Sequence, residues 1–133
     1  MKIDIFSHVQ LERYKKALYK HADKFVTEKN VQDRRPTLTD QKLRMRIIDK
    51  YKDYVQVLSA TLPPLEEVVS PDEAAELARI ANDEIAELVS KYPQKYAAAI
   101  ANLPLNNLDA TLNETERAIK ELGFKGIQIY PSV

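Results

Sequence analysis

Four short apolar segments alternate with longer amphipathic ones, and this alternation limits the fold more than any other feature of the chain. KIDIF (residues 2–6), YVQVLSA (54–60), YAAAIAN (96–102) and GIQIY (126–130) are short, rich in small or β-branched residues, and bounded by polar residues or prolines, so they read as strands. LERYKKALYKHADKF repeats Leu11, Tyr14, Leu18 and Ala22 at helical spacing. Residues 26–38 are charged and polar around Pro36 and read as a loop; Thr39 or Asp40 then caps a helix in TDQKLRMRIIDKY. SPDEAAELARIANDEIAELVSKY has Ser70 as N-cap, Pro71 at the first helical position and acids in the first turn. Its Ala74, Leu77, Ile80, Ala81, Ile85 and Leu88 form one apolar stripe. DATLNETERAIKELGF is a further amphipathic helix, closed by Gly123. Helices between successive strands imply parallel strands joined by right-handed crossovers.

With 133 residues the chain suits a single domain. Twenty basic and twenty acidic side chains cancel, so no overall field draws it to nucleic acid or an anionic membrane. It shows no membrane-spanning apolar run and no signal-peptide pattern. The absence of cysteine excludes a disulfide framework and thiolate chemistry, and a cytoplasmic location is expected. Only two glycines are present, so no glycine-rich phosphate loop exists, and no Ser-His-Asp or Cys-His grouping is defensible.

A βα repeat ending on a strand leaves an edge unless something pairs with it. A complete (β/α)8 barrel needs roughly 250 residues. Four strands are half of that wall, or alternatively a small open sheet.

Three stretches tip this choice. MKIDIFSHVQLERY, RIIDKYKDYVQVLS and ELARIANDEIAELVSKYPQKYAAAIANLPLNNLDATLNETERAIKELGFKGIQIYPSV resemble the first half of the amidohydrolase-related family, which includes aminocarboxymuconate-semialdehyde and resorcylate decarboxylases. The order helix, strand, Leu-Pro, acidic cap, helix and Gly-ended turn is the most specific part. The resemblance implies an α/β fold, the N-terminal half of a (β/α)8 TIM barrel, with four parallel strands and outer helices over residues 1–133. It also implies a divalent cation such as zinc in full-length relatives, held by His-x-His or Glu-x-His at the end of the first strand and by further ligands on later strands. Small carboxylated substrates are implied with it.

Carried over to this chain, His8 matches the second residue of that pair, two residues past the expected strand end, and Phe6 occupies the first. Residues two apart on a strand share a face, so Phe6 and His8 are expected to point inward together. Asp4 is expected on the same face, but about 13 Å from His8, beyond any shared coordination shell. A phenyl ring has no lone pair for a cation, and one imidazole falls short of the three or four ligands of a stable site. His8 is therefore a vestigial or partial metal position, Phe6 an apolar wall, and no cofactor is expected for this chain.

Other candidates have simpler readings. His21 sits among Lys20, Asp23 and Lys24 as a solvated surface residue. Arg34, Arg35, Lys42, Arg44 and Arg46 form a basic cluster expected to be solvated and neutralised by Asp33, Asp40 and Asp49. Glu66 and Glu67 resemble an acid/base couple only by type, since adjacent residues diverge. Tyr14, Tyr51, Tyr54, Tyr92, Tyr96 and Tyr130 are spaced like packing residues. Asn102 and Asn106 flank Leu-Pro-Leu at the expected substrate side, where turn chemistry explains them equally.

Two functions of different class follow. One is the N-terminal half of a metal-dependent hydrolase or decarboxylase, not catalytic as 133 residues. The other is a non-catalytic half-barrel that self-associates or pairs with a separate second half.

Overall fold

The computed structural model describes residues 1–130. It contains one four-stranded parallel sheet in the order β1-β2-β3-β4. The strands are β1 (Lys2–Val9), β2 (Tyr54–Ala60), β3 (Tyr96–Ala101) and β4 (Gly126–Ile127). The helices are α1 (Glu12–Leu18), α2 (Val26–Asp33), α3 (Gln41–Ile48), α4 (Leu65–Val68), α5 (Pro71–Lys91) and α6 (Leu108–Lys120). This is the expected half of a (β/α)8 barrel wall, with residues 131–133 of the expected domain outside the described residues.

The long helix forms where its end signals are complete. Ser70 Oγ accepts from the Glu73 N–H, and the Glu73 carboxylate accepts from the Ser70 N–H at 3.1 Å, a reciprocal capping box with Pro71 at the first helical position. Asp40 caps α3 by accepting from the Leu43 N–H at 2.9 Å. Asn107, rather than an acid, caps α6. After α6 the chain reverses at Gly123, whose φ of +72° is a conformation that side-chain-bearing residues resist.

One sheet face is covered and the other is open. Leu58, Ala60, Tyr96, Ala99 and Ala101 point to the helices and are at most 2 % exposed. They meet Leu77, Ala81 and Ile85 of the α5 stripe, with α1 and α6 packed on either side of α5. Each fully buried leucine or isoleucine here contributes about 1.5–3 kcal/mol over its exposed state. On the opposite face Ile3, Ile5, Phe6, Ile127 and Ile129 are 42–80 % exposed.

Several sequence expectations are corrected. Residues 26–38 are not a loop: α2 and a 3-10 turn (Pro36–Leu38) occupy them, and α2 docks through a polar residue, Gln32, which pattern reading discounts. The first expected helix breaks after Leu18 into a 3-10 segment (Tyr19–Lys24), with His21 outside helical geometry. β1 runs to Val9, so His8 lies within the strand and not beyond it. β4 is paired over two residues only, with Gln128 extending it through a single bond to the Ala101 carbonyl.

The largest correction concerns the pleat of β1. Asp4 pairs with Gln56 and Ser7 with Leu58, so three steps on β1 match two on β2. This β-bulge sets both Ile5 and Phe6 on the open face and returns Ser7 to the helix face beside Asp4. Asp4 therefore does not share a face with Phe6 and His8. Its carboxylate accepts from Ser7 Oγ at 2.6 Å and the Tyr54 hydroxyl at 2.7 Å, on the helix side.

Candidate functional site

The open face forms a groove of about 490 Å3 at the carboxyl end of β1, bounded by Ile5, Phe6, His8, Ser59, Ile100 and Ile127. Parallel register makes it: His8 pairs with Ser59, and Ile100 and Ala101 pair with Gly126 and Ile127. Gln128 and Tyr130 close its far side, with Gln128 Nε2 donating to the Tyr130 hydroxyl at 2.6 Å. Burial, reinforced by the Glu66 charge, pushes the Tyr130 phenol up to about 12.

His8 is the polar centre of this groove. Its Nδ1 lies 2.8 Å from Ser59 Oγ. The Phe6 ring stands edge-on to the imidazole, centroids 4.5 Å apart and planes at 76°. Burial holds the imidazole below its ordinary pKa, against a smaller opposing effect of the Ala60 backbone, with the nearby Arg44 charge adding to the lowering. The His8 and Phe6 side chains thus share the open face, as the strand spacing predicts.

These residues do not fit a divalent cation on their own. Phe6 supplies carbon where a ligand would stand, Asp4 faces the other way, and Ser59 is engaged with His8. Among the described residues no group of three or more His, Cys, Asp or Glu side chains converges on one point.

Four residues of the basic cluster are solvated as expected, and one is not. Arg34, Arg35, Lys42 and Arg46 are exposed, but Arg44 is only 8 % exposed. Its guanidinium donates to Gln56 Oε1 at 3.0 and 2.8 Å, to the His8 carbonyl at 2.8 Å and to the Thr37 carbonyl at 3.2 Å. Burial lowers its pKa. The three aspartates expected to neutralise the cluster are used elsewhere: Asp33 pairs with Lys15 and Lys29, Asp49 with Lys95, and Asp40 caps α3. A second groove, of about 580 Å3, lies over Arg44 and is lined by Phe6, Ile47, Tyr51 and Tyr54.

The remaining candidates scatter. His21 Nε2 lies 3.8 Å from Glu73 at the start of α5, away from the groove. Glu66 and Glu67 sit in the first turn of the short α4. Asn106 donates to the Val69 carbonyl, a loop tie. Asn102 is 3 % exposed with its side-chain Nδ2 unpartnered, as is the Tyr14 hydroxyl. Tyr14 and Tyr96 are core residues, as their spacing predicts, whereas Tyr51 is 60 % exposed.

Sequence reasoning missed Ser59 and Gln128. Ser59 contacts His8 across 51 residues, and only the strand register reveals that pairing. Gln128 stands in a strand where alternation marks it as ordinary.

With the geometry in place, comparison with known proteins is specific. A family model described as amidohydrolase matches residues 5–133. A gamma-resorcylate decarboxylase of Polaromonas sp. is 36% identical over 103 residues, which are 77% of this chain and 31% of that protein. A 2-amino-3-carboxymuconate-6-semialdehyde decarboxylase of Dictyostelium discoideum is 32% identical over 94 residues, 71% of this chain and 26% of its own length. The crystal structure of a dihydroxybenzoic acid decarboxylase from Polaromonas sp., with bound manganese and the inhibitor 2-nitroresorcinol, superposes with a TM-score of 0.74 at 32% identity, covering 95% of this chain and 37% of that one. A 5-carboxyvanillate decarboxylase from Sphingomonas paucimobilis, at 23% identity, shares the fold with a TM-score of 0.83 over 98% of this chain and 43% of its own. The chain spans about a third of the length of such relatives.

Proposed function

The chain belongs to the amidohydrolase family, and on that premise we propose that it supplies the first half of an amidohydrolase-like barrel that acts as a hydrolase or decarboxylase on small carboxylated substrates. These 133 residues are not catalytic alone in this reading, and they need a second set of strands, from a further copy or a complementing half, to close the site. No cofactor belongs to the chain by itself; a divalent metal such as zinc belongs to a full-length relative. Nucleic acid and membrane have no part in the reading, and its location is cytoplasmic. Among the described residues no helix is long and apolar enough to cross a membrane.

One observation carries the proposal: the open sheet face holds His8 at the motif position while Ile3, Ile5, Phe6, Ile127 and Ile129 stand exposed around it. That apolar face is the side a closed barrel fills with layered side chains. The groove offers His8, Ser59, Gln128 and Tyr130 as orienting polar groups among aliphatic walls, a composition that suits a small aromatic acid.

The test is a decarboxylation assay on the purified chain with 2,6-dihydroxybenzoate, the compound bound in a solved relative, with and without manganese. No turnover is expected in either condition. Metal-dependent turnover by the chain alone would overturn the proposal. Light scattering on the same sample tests the second half of the reading, with assemblies of two or more chains expected.

A further inference from the structure

The imidazole of His8 is gripped from two sides. Parallel pairing of β1 and β2 sets it directly opposite Ser59, whose Oγ lies 2.8 Å from Nδ1. Two-residue spacing along β1 sets Phe6 on the same face, where its ring meets the imidazole at 4.5 Å and 76°. Nδ1 is thereby occupied by Ser59; the Ala60 backbone also acts on the ring, and Nε2 makes no side-chain hydrogen bond among the described residues.

We infer that Ser59 is a positioning residue for His8: with Phe6 it fixes the imidazole as a hydrogen-bonding group whose Nε2 serves a ligand, in place of the cation that the family motif holds there. The ligand class rests on the family reading above; the Ser59 contact does not. An imidazole with one nitrogen engaged has one orientation, and its tautomer follows from whether Nδ1 donates to the Ser59 hydroxyl or accepts from it. In its N–H form Nε2 donates to a carboxylate oxygen; in its lone-pair form it accepts a hydroxyl proton. Either form matches a small hydroxylated or carboxylated ring, which Ile5, Ile100, Ile127 and Ile129 flank with apolar surface. A cation at Nε2 would instead meet the Phe6 ring at the neighbouring ligand position, where no lone pair is available.

The experiment is nitrogen-15 NMR of the His8 ring in the full chain, read alongside the ring-current displacement that Phe6 imposes on the His8 ring protons. Solid-state spectra of sedimented protein give the same readout, so self-association does not hide it. The wild type is expected to show one tautomer and displaced ring protons. Ser59→Ala is expected to change both, and Ser59→Thr, which keeps the hydroxyl, to restore the wild-type pattern. An unchanged His8 ring in Ser59→Ala overturns the inference. Equimolar manganese chloride supplies the second arm. Broadening no greater for His8 than for other surface signals is expected; selective loss of the His8 ring signals would show the imidazole acting as a metal ligand and would overturn the claim that it replaces the cation. Neither arm depends on turnover, so both stay readable even where turnover by the chain alone overturns the reading above.

Discussion

Asn82 of α5 holds both backbone groups of Asn102 at once: its Oδ1 accepts from the Asn102 N–H at 2.9 Å, and its Nδ2 donates to the Asn102 carbonyl at 2.9 Å. The side chain is fully buried, and Nδ2 also donates to Glu114 at 2.7 Å. Glu114 is held in turn by Arg117, which reaches Asp83. A helix side chain thus substitutes for a missing strand neighbour where β3 ends. Asn82→Ala strands one buried N–H, one carbonyl and part of a carboxylate, each costly without a partner. We expect a loss of about 3 kcal/mol in stability by urea denaturation, whereas Asn82→Ala changing stability by less than about 1 kcal/mol would mean water replaces the clamp.

Arg44 gives a second packing prediction. Its planar fork serves a side-chain amide and two carbonyls at fixed angles, including the carbonyl of His8 itself. Lysine keeps the charge but not the fork. Arg44→Lys is expected to lose about 2 kcal/mol and Arg44→Met about 3 kcal/mol, because Gln56 and the carbonyls lose their donors. Equal stability of Arg44→Lys and wild type in a thermal melt would contradict this.

Asp4 yields a pH dependence. Hydrogen bonds from Ser7 and then Tyr54 hold its carboxyl below the ordinary range, against a smaller opposing effect of burial. The folded-state pKa is depressed, so its stabilisation is fully present above the unfolded value near 3.9 and is lost as pH falls through the folded value. Stability measured from pH 5 downward should therefore fall less steeply in Asp4→Asn than in wild type. Parallel slopes would mean the Ser7 and Tyr54 bonds do not favour the ionised form.

The alternation of strands and helices, their order and the capping of α5 were legible in the sequence because each depends on neighbours within a few residues. The bulge in β1 was not. Nothing in KIDIFSHV distinguishes a regular strand from one with an extra residue; the partner strand fixes that, through Asp4 against Gln56 and Ser7 against Leu58. One inserted residue reversed the face of Asp4 and left His8 where expected. Ser59 escaped for the same reason, since its role exists only in register. Arg44 was misread because its partners are neutral oxygens, and charge pairing along the chain cannot reveal them.

Metal content gives a further check. With one imidazole and no neighbouring lone pair from Phe6, zinc or manganese should be removed from the purified chain by dialysis. Phe6→His places two imidazoles on one strand face, which still falls short of the three or four ligands of a stable site. Metal should remain substoichiometric in that variant too. One equivalent of zinc surviving dialysis in the wild type, by elemental analysis, would be the contrary result.

The two sheet edges give a prediction about assembly. Among the described residues β1 and β4 each pair on one side only, and both run in the same direction. Unpaired strand edges seek partners, and an apolar face of this kind marks an interface. Two copies about a two-fold axis along the strands bring β4 of each beside β1 of the other, a contact made twice that closes and limits itself. The exposed Ile5 and Ile129 then enter the shared interior. Ile5→Lys with Ile129→Lys buries two like charges per copy in that interior without touching the helix-side core. Sedimentation should show the wild type as a dimer or larger, and the double variant as a monomer with an unchanged far-ultraviolet circular dichroism spectrum. A wild-type chain that sediments as a monomer and binds no hydrophobic dye would show that the open face needs no second copy.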